Sequence, residues 1–134
     1  MPRPSRELER QVISRAAGRC EYCHLPERVS ELPFHIDHII AEKHRGLTVL
    51  ENLAWACFSC NMHKGANVAG IDPVTDEVVR LFRPRQDVWG QHFRWQGAWL
   101  QGLTSIGRVT VAVLEMNDPD MVLLRELLLN EGVF

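Results

Sequence analysis

The sequence predicts an α+β fold organised around one strand–strand–helix segment that cysteines clamp at both ends. Three observations carry this reading. All four cysteines of the 134-residue chain fall into two Cys-x-x-Cys pairs, Cys20/Cys23 and Cys57/Cys60. Residues 24 to 56, between the pairs, hold one β-branched and aromatic run and a second short apolar run, and a short helix-like stretch begins at Ser59. Helix-period stretches lie before the clamp and at the end of the chain, with strand and turn signals between them.

Taken in order, residues 5 to 17 read as an amphipathic helix. Ser5 caps it, Glu7 and Glu9 suit the positive end of its dipole, and Leu8, Val12, Ile13 and Ala16 form one stripe. Gly18 stops it. Residues 24 to 33 have no period and contain two prolines, which reads as a loop. Phe34 to Ile40 reads as a strand, Ala41 to Gly46 as a polar turn, and Leu53 to Ala56 as a second short strand. A short helix runs from Ser59 and ends at Gly65.

Beyond Gly65, Asp72-Pro73-Val74-Thr75-Asp76 is a turn and Val78 to Phe82 a strand. Phe93 to Trp95 and Ala98 to Leu103 form a hairpin across Gly97. Two helices finish the chain. The first follows Thr104 or Ser105, with Ile106, Val109, Val113 and Met116 inward. The second starts at Asp118-Pro119, cap and first-turn proline, and carries Val122, Leu124, Leu128 and Leu129. Its leucines leave two uses open, packing inward or pairing with a second copy as a homodimer. With no repeat and no linker signal, the expectation is one domain over 1–134, with a core at 18–66 and a C-terminal elaboration at 67–134.

Composition is that of a globular protein, 46% hydrophobic and 24% charged. No apolar run approaches the ~18 residues that cross a bilayer. The polar start Met-Pro-Arg-Pro-Ser-Arg-Glu carries no secretory signal, so the expected location is cytoplasmic. In a reducing compartment paired cysteines read as metal ligands. The alternative, two redox dithiols, expects a βαβ setting and usually a single copy. A net charge of −2 counts against a nucleic-acid partner. Its distribution counts the other way: Arg3, Arg6, Arg10, Arg15 and Arg19 crowd the N-terminal stretch. Apart from Lys43 and Lys64, every cation is Arg, which suits bidentate phosphate contacts. For any one Arg the plainer reading is a solvated face.

Four thiolates suit a structural zinc, tetrahedral with Zn–S near ~2.3 Å. Such a site leaves no open position for water, so the ion would be a staple and not a catalyst. A second group is Asp37, His38, Asn52 and Asn61. Cleaving a phosphodiester needs an activated water, a base, and positive charge near the transition state. An imidazole suits the base. A carboxylate from Asp37 and an amide oxygen from Asn61 suit a hard ion such as Mg²⁺. Trp89, Phe93, Trp95 and Trp99 read as the core of a small sheet before they read as base-stacking platforms.

These residues resemble the HNH endonucleases, whose core is the ββα-metal finger, and within them the four-cysteine zinc-stapled branch of phage endonuclease VII. The resemblance rests on Cys20-x-x-Cys23, Phe34-His35-Ile36-Asp37-His38-Ile39-Ile40, Glu51-Asn52-Leu53 and Cys57-x-x-Cys60-Asn61-x-His63-Lys64-Gly65. It spans about residues 20 to 65. Ala41 departs from it, standing where a proline often follows, and Asn61 stands where many members have His. The resemblance implies a metal-dependent endonuclease hydrolysing phosphodiester bonds in DNA, with no membrane partner. His38 would be the general base and Asn52 the residue that holds the base-bearing loop. Asp37 and Asn61 would bind a catalytic Mg²⁺ or Mn²⁺, and Cys20, Cys23, Cys57 and Cys60 a structural Zn²⁺. Two alternatives stay open: a non-catalytic zinc-containing nucleic-acid-binding module, and an RNA-directed nuclease. One demand follows from strand geometry. Neighbours on a regular strand face opposite sides, so Asp37 and His38 meet at one centre only if the strand ends or bulges there.

Overall fold

In the computed structural model, which describes residues 3–134, helix α1 (Arg6–Ala16) begins where the capping rule places it: Ser5 Oγ accepts from the Leu8 N–H at 3.2 Å. It ends one residue before the expected glycine. Ala17 takes the left-handed conformation, with φ of 55°, and Gly18 follows at 79°. The chain then enters the first cysteine turn. Val12 and Ala16 are buried, whereas Ile13 is exposed, so the apolar stripe is narrower than its period implied.

The described residues group into two compact units. The first ends at Val68 and takes in Arg83–Gln86; the second comprises Ala69–Phe82 and Asp87–Phe134. In the first unit, strands β1 (His35–His38) and β2 (Leu53–Ala56) pair antiparallel, and helix α2 (Phe58–Lys64) follows at once. The register is one to one, with Asp37 opposite Ala54 and His38 opposite Leu53. There is no bulge; β1 ends at His38. Every residue of β2 is buried, beneath α1 on one side, so its sequence lacks the alternation of a half-exposed strand. Short 3₁₀ turns at Glu27–Val29, Glu42–His44 and Leu50–Asn52 break what the sequence presents as plain loop.

In the second unit, β3 (Ala69–Ile71) and β4 (Val78–Arg80) form a hairpin around Asp72. Asp72 accepts from Val74 N–H, Thr75 Oγ1 and the fork of Arg108, which holds its carboxyl well below the usual carboxylate range. β3 is absent from the sequence reading because Ala69-Gly70-Ile71 carries too little strand signal. After the short helix α3 (Trp89–His92), β5 (Phe93–Gln96) and β6 (Trp99–Gly102) make the hairpin expected across Gly97. Helices α4 (Ser105–Val113) and α5 (Pro119–Asn130) start at Thr104 and Asp118, whose side chains cap them. α4 lies tight on β6: a Cβ on Gly102 would come 2.5 Å from the Arg108 backbone nitrogen. Phe93 is buried against Phe82 and Trp89, and Trp95 stacks near Trp89. Trp99 departs from the aromatic-core expectation, being 51% exposed, and on α5 Leu128 is buried while Leu127 and Leu129 are exposed. Arg125 on the same helix is buried, and its guanidinium donates to the Ala98 and Met116 carbonyls beneath the Trp95 ring. Among the described residues no helix is long and apolar enough to cross a membrane.

Candidate functional site

The two cysteine turns converge. The four Sγ atoms lie within 4.8 Å of one another, all buried, and Cys23 and Cys57 are 3.7 Å apart. A zinc tetrahedron with Zn–S of ~2.3 Å has S···S edges of about 3.8 Å, so the four sulfurs fit that ion and close its coordination. Each turn is shaped for the purpose: Cys20 Sγ faces the Cys23 N–H and Cys57 Sγ faces the Cys60 N–H, both at 3.4 Å. Hydrogen bonds from the other three sulfurs pull the Cys57 thiol far below its ordinary range, while contacts with Cys20 and Cys57 push Cys23 up and those with Cys20, Cys23 and Cys57 push Cys60 up. Four adjacent sulfurs cannot all be anionic without a cation among them.

The two residues inside the first turn each hold a strand. Glu21 exchanges hydrogen bonds with Trp55 on β2, its N–H donating to the Trp55 carbonyl and its carboxylate accepting the Trp55 N–H. Arg85 also donates to that carboxylate. Tyr22 points the other way and donates its hydroxyl to Asp37 Oδ2 at 2.6 Å. Burial, and then the Asp37 charge, push the Tyr22 phenol well up, so it remains the donor.

Asp37 is only 4% exposed, and its other oxygen accepts from Lys64 Nζ at 3.1 Å. Lys64 is 1% exposed and also donates to the His38 carbonyl at 2.9 Å. Burial pushes the Asp37 carboxyl up; the Lys64 charge and the two hydrogen bonds pull against it. An exposed, solvated Lys64 is the plainer sequence expectation, and the structure overturns it. Lys64 closes α2 on the face that packs against β1, where it meets a buried carboxylate. Asn61 lies one helical turn earlier on the same side, half-buried beside Cys60.

His38 leaves β1 on the opposite face. Its Nε2 pairs with Thr48 Oγ1 at 2.9 Å and lies 3.8 Å from Glu42 Oε1. Behind it Asn52 binds three backbone groups: its oxygen accepts the Ile40 N–H, and its amide donates to the Ile40 and Leu47 carbonyls, each at 2.9 Å. Gly46 completes the loop, because a Cβ there would sit 1.6 Å from the Ile40 carbonyl oxygen. The structure thus gathers Asp37, Tyr22 and Lys64 into one cluster, with Asn61 a turn away, and His38, Thr48 and Glu42 into another braced by Asn52. The clusters share a strand end but face apart, as an unbulged register requires. His35 rests its ring edge on Phe58, and His63 Nδ1 pairs with the Ser59 carbonyl of its own helix; neither joins a cluster.

Tyr22, Thr48, Glu42 and the buried role of Lys64 escape sequence reasoning. One signal was present: Tyr22 is the sole tyrosine of the chain and stands between two ligand cysteines. Asn52→Ala is expected to cost about 1–3 kcal/mol, since two part-buried backbone groups of Ile40 lose their partner and the exposed Leu47 carbonyl turns to water. A urea titration of the zinc-loaded chain measures it; a change under about 0.5 kcal/mol would show that water replaces the amide without loss.

Residues 20–67, the clamp with its insert and helix α2, match the family described as HNH endonuclease. No curated protein and no solved structure matches the chain. The match gives residues 20–67 a nuclease-type segment in general, and the four cysteines within it are placed to hold a structural zinc.

Proposed function

From that HNH endonuclease match, we propose that the chain is a metal-dependent hydrolase of DNA phosphodiester bonds with His38 as general base. The supporting observation is the braced imidazole. Asn52 fixes the loop that follows His38 at Ile40 and Leu47, Thr48 anchors Nε2, and the ring stays partly open to solvent. With Thr48 Oγ1 accepting the Nε2–H, the lone pair lies on Nδ1, the atom that takes a proton from water. Glu42, near the same ring, steadies the imidazolium that results. Arg3, Arg6 and Arg10 are exposed on the N-terminal stretch and are offered to backbone phosphates; Arg15 and Arg19 are spent on internal carbonyls.

Asp37 and Asn61 supply the hard oxygen donors that suit Mg²⁺ or Mn²⁺, and the ion, when bound, neutralises charge on the phosphate and leaving oxygen. Two observations favour the rival reading, a binding module without turnover: the Asp37 charge is already matched by Lys64, and Asp37 and His38 leave an unbulged strand on opposite faces. Supercoiled plasmid, single-stranded DNA and RNA, each with Mg²⁺, Mn²⁺ or EDTA, separate the readings. Metal-dependent nicking of plasmid is the expected result. Binding with no cleavage under any metal would leave only the module, and cleavage confined to RNA would redirect the substrate.

A further inference from the structure

The ion pair between Lys64 and Asp37 is unusual for its setting. It joins an ammonium 1% exposed to a carboxylate 4% exposed, at 3.1 Å, within the segment that would receive the catalytic ion. Buried charges of opposite sign stabilise each other where water cannot, and separating them leaves each without compensation. The second Asp37 oxygen is held by Tyr22, and Lys64 is further fixed by the His38 carbonyl. A carboxylate so engaged has lone pairs left, but a dication approaching them meets an ammonium on the same group.

Resting on the proposed function, we infer that Lys64 is a resident counter-ion that competes with the divalent metal for Asp37, so that metal enters only as Lys64 lets go. The competition is reciprocal: whatever weakens the ion pair tightens metal binding by the same factor. Lys64 is thus a positioning residue, acting on the chemistry through Asp37. Its removal has opposite effects on two readouts, tightening metal binding and loosening the fold.

The test is a Mn²⁺ titration of the full, zinc-loaded chain without nucleic acid, followed by the electron paramagnetic resonance of free Mn²⁺. Lys64→Met removes the charge and keeps the bulk. Lys64→Gln removes the charge and keeps a donor for Asp37. Both are expected to bind Mn²⁺ about tenfold or more tightly than the wild type, and to lose that gain when Asp37→Asn is added. Equal affinity in folded, zinc-loaded variants would overturn the inference. Should both variants lose zinc, the wild type decides. Its two lysines are Lys43, exposed, and Lys64, buried. Amine acylation of Lys64, normalised to Lys43, is expected to rise at saturating Mn²⁺, and unchanged protection would overturn the competition. Plasmid nicking by the wild type is scored separately. Nicking without the affinity gain sinks this inference alone, and the gain without nicking sinks the nuclease reading alone.

Discussion

His38→Ala is expected to lower metal-dependent nicking by about 10²-fold or more, with the zinc content of one per chain unchanged. The reasoning separates chemistry from architecture. The His38 side chain contributes one hydrogen bond, to Thr48, whereas the loop around it is held by Asn52 and by close contact at Gly46. Truncating the ring therefore leaves the loop standing and removes only the group that accepts a proton. The loss belongs in kcat, because a base acting on water contributes nothing to holding substrate in the ground state. Added imidazole should restore part of the rate, which a merely structural histidine would not allow. A variant that nicks as fast as the wild type would remove His38 from the reaction, and a variant that sheds zinc would recast it as part of the fold.

Loss of the thiolate-bound ion is the second large effect. Cys57→Ser, or stripping zinc with a thiol-competing chelator, is expected to unfold the first unit and abolish activity. Magnitudes decide this. The deepest large apolar side chains of that unit are Val12, Tyr22 and Leu53, each worth about 1.5–3 kcal/mol on burial. Structural zinc contributes about 10–16 kcal/mol in comparable small sites, as much as the whole stability of an ordinary domain. Zinc must also displace the thiol protons that Cys23 and Cys60 hold strongly, so affinity falls as pH falls. Zinc release measured with a chromogenic chelator, alongside amide spectra of residues 20–68, checks both statements. Native spectra after complete zinc loss would defeat them.

The helices and the strands of the clamp were legible in the sequence where each has a local cause. Ser5, Thr104 and Asp118 cap helices through their own side chains, and Leu53–Ala56 is a strand in both readings. Cys57, not Ser59, opens α2, since a ligand sulfur that already faces the Cys60 N–H serves as the cap. What stayed hidden depends on partners distant in sequence. Lys64 looks solvated until Asp37 is placed 27 residues earlier beside it. Arg125 looks like a surface residue on a leucine-rich helix until the Ala98 carbonyl meets it from 27 residues away. The opposed faces of Asp37 and His38 were legible as a question, whose answer lay in a register without a bulge.

The dipeptide inside the first cysteine turn is more than a spacer. Glu21 grips the backbone of one strand while Tyr22 reaches the acid on its neighbour, so the sulfur cage and the polar cluster are assembled by the same four consecutive residues. Loading of the staple and maturation of the cutting apparatus then become a single event. On the proposed function, a freshly synthesised chain lacking its ion would have no ordered acid to offer, and competence would arrive with the metal.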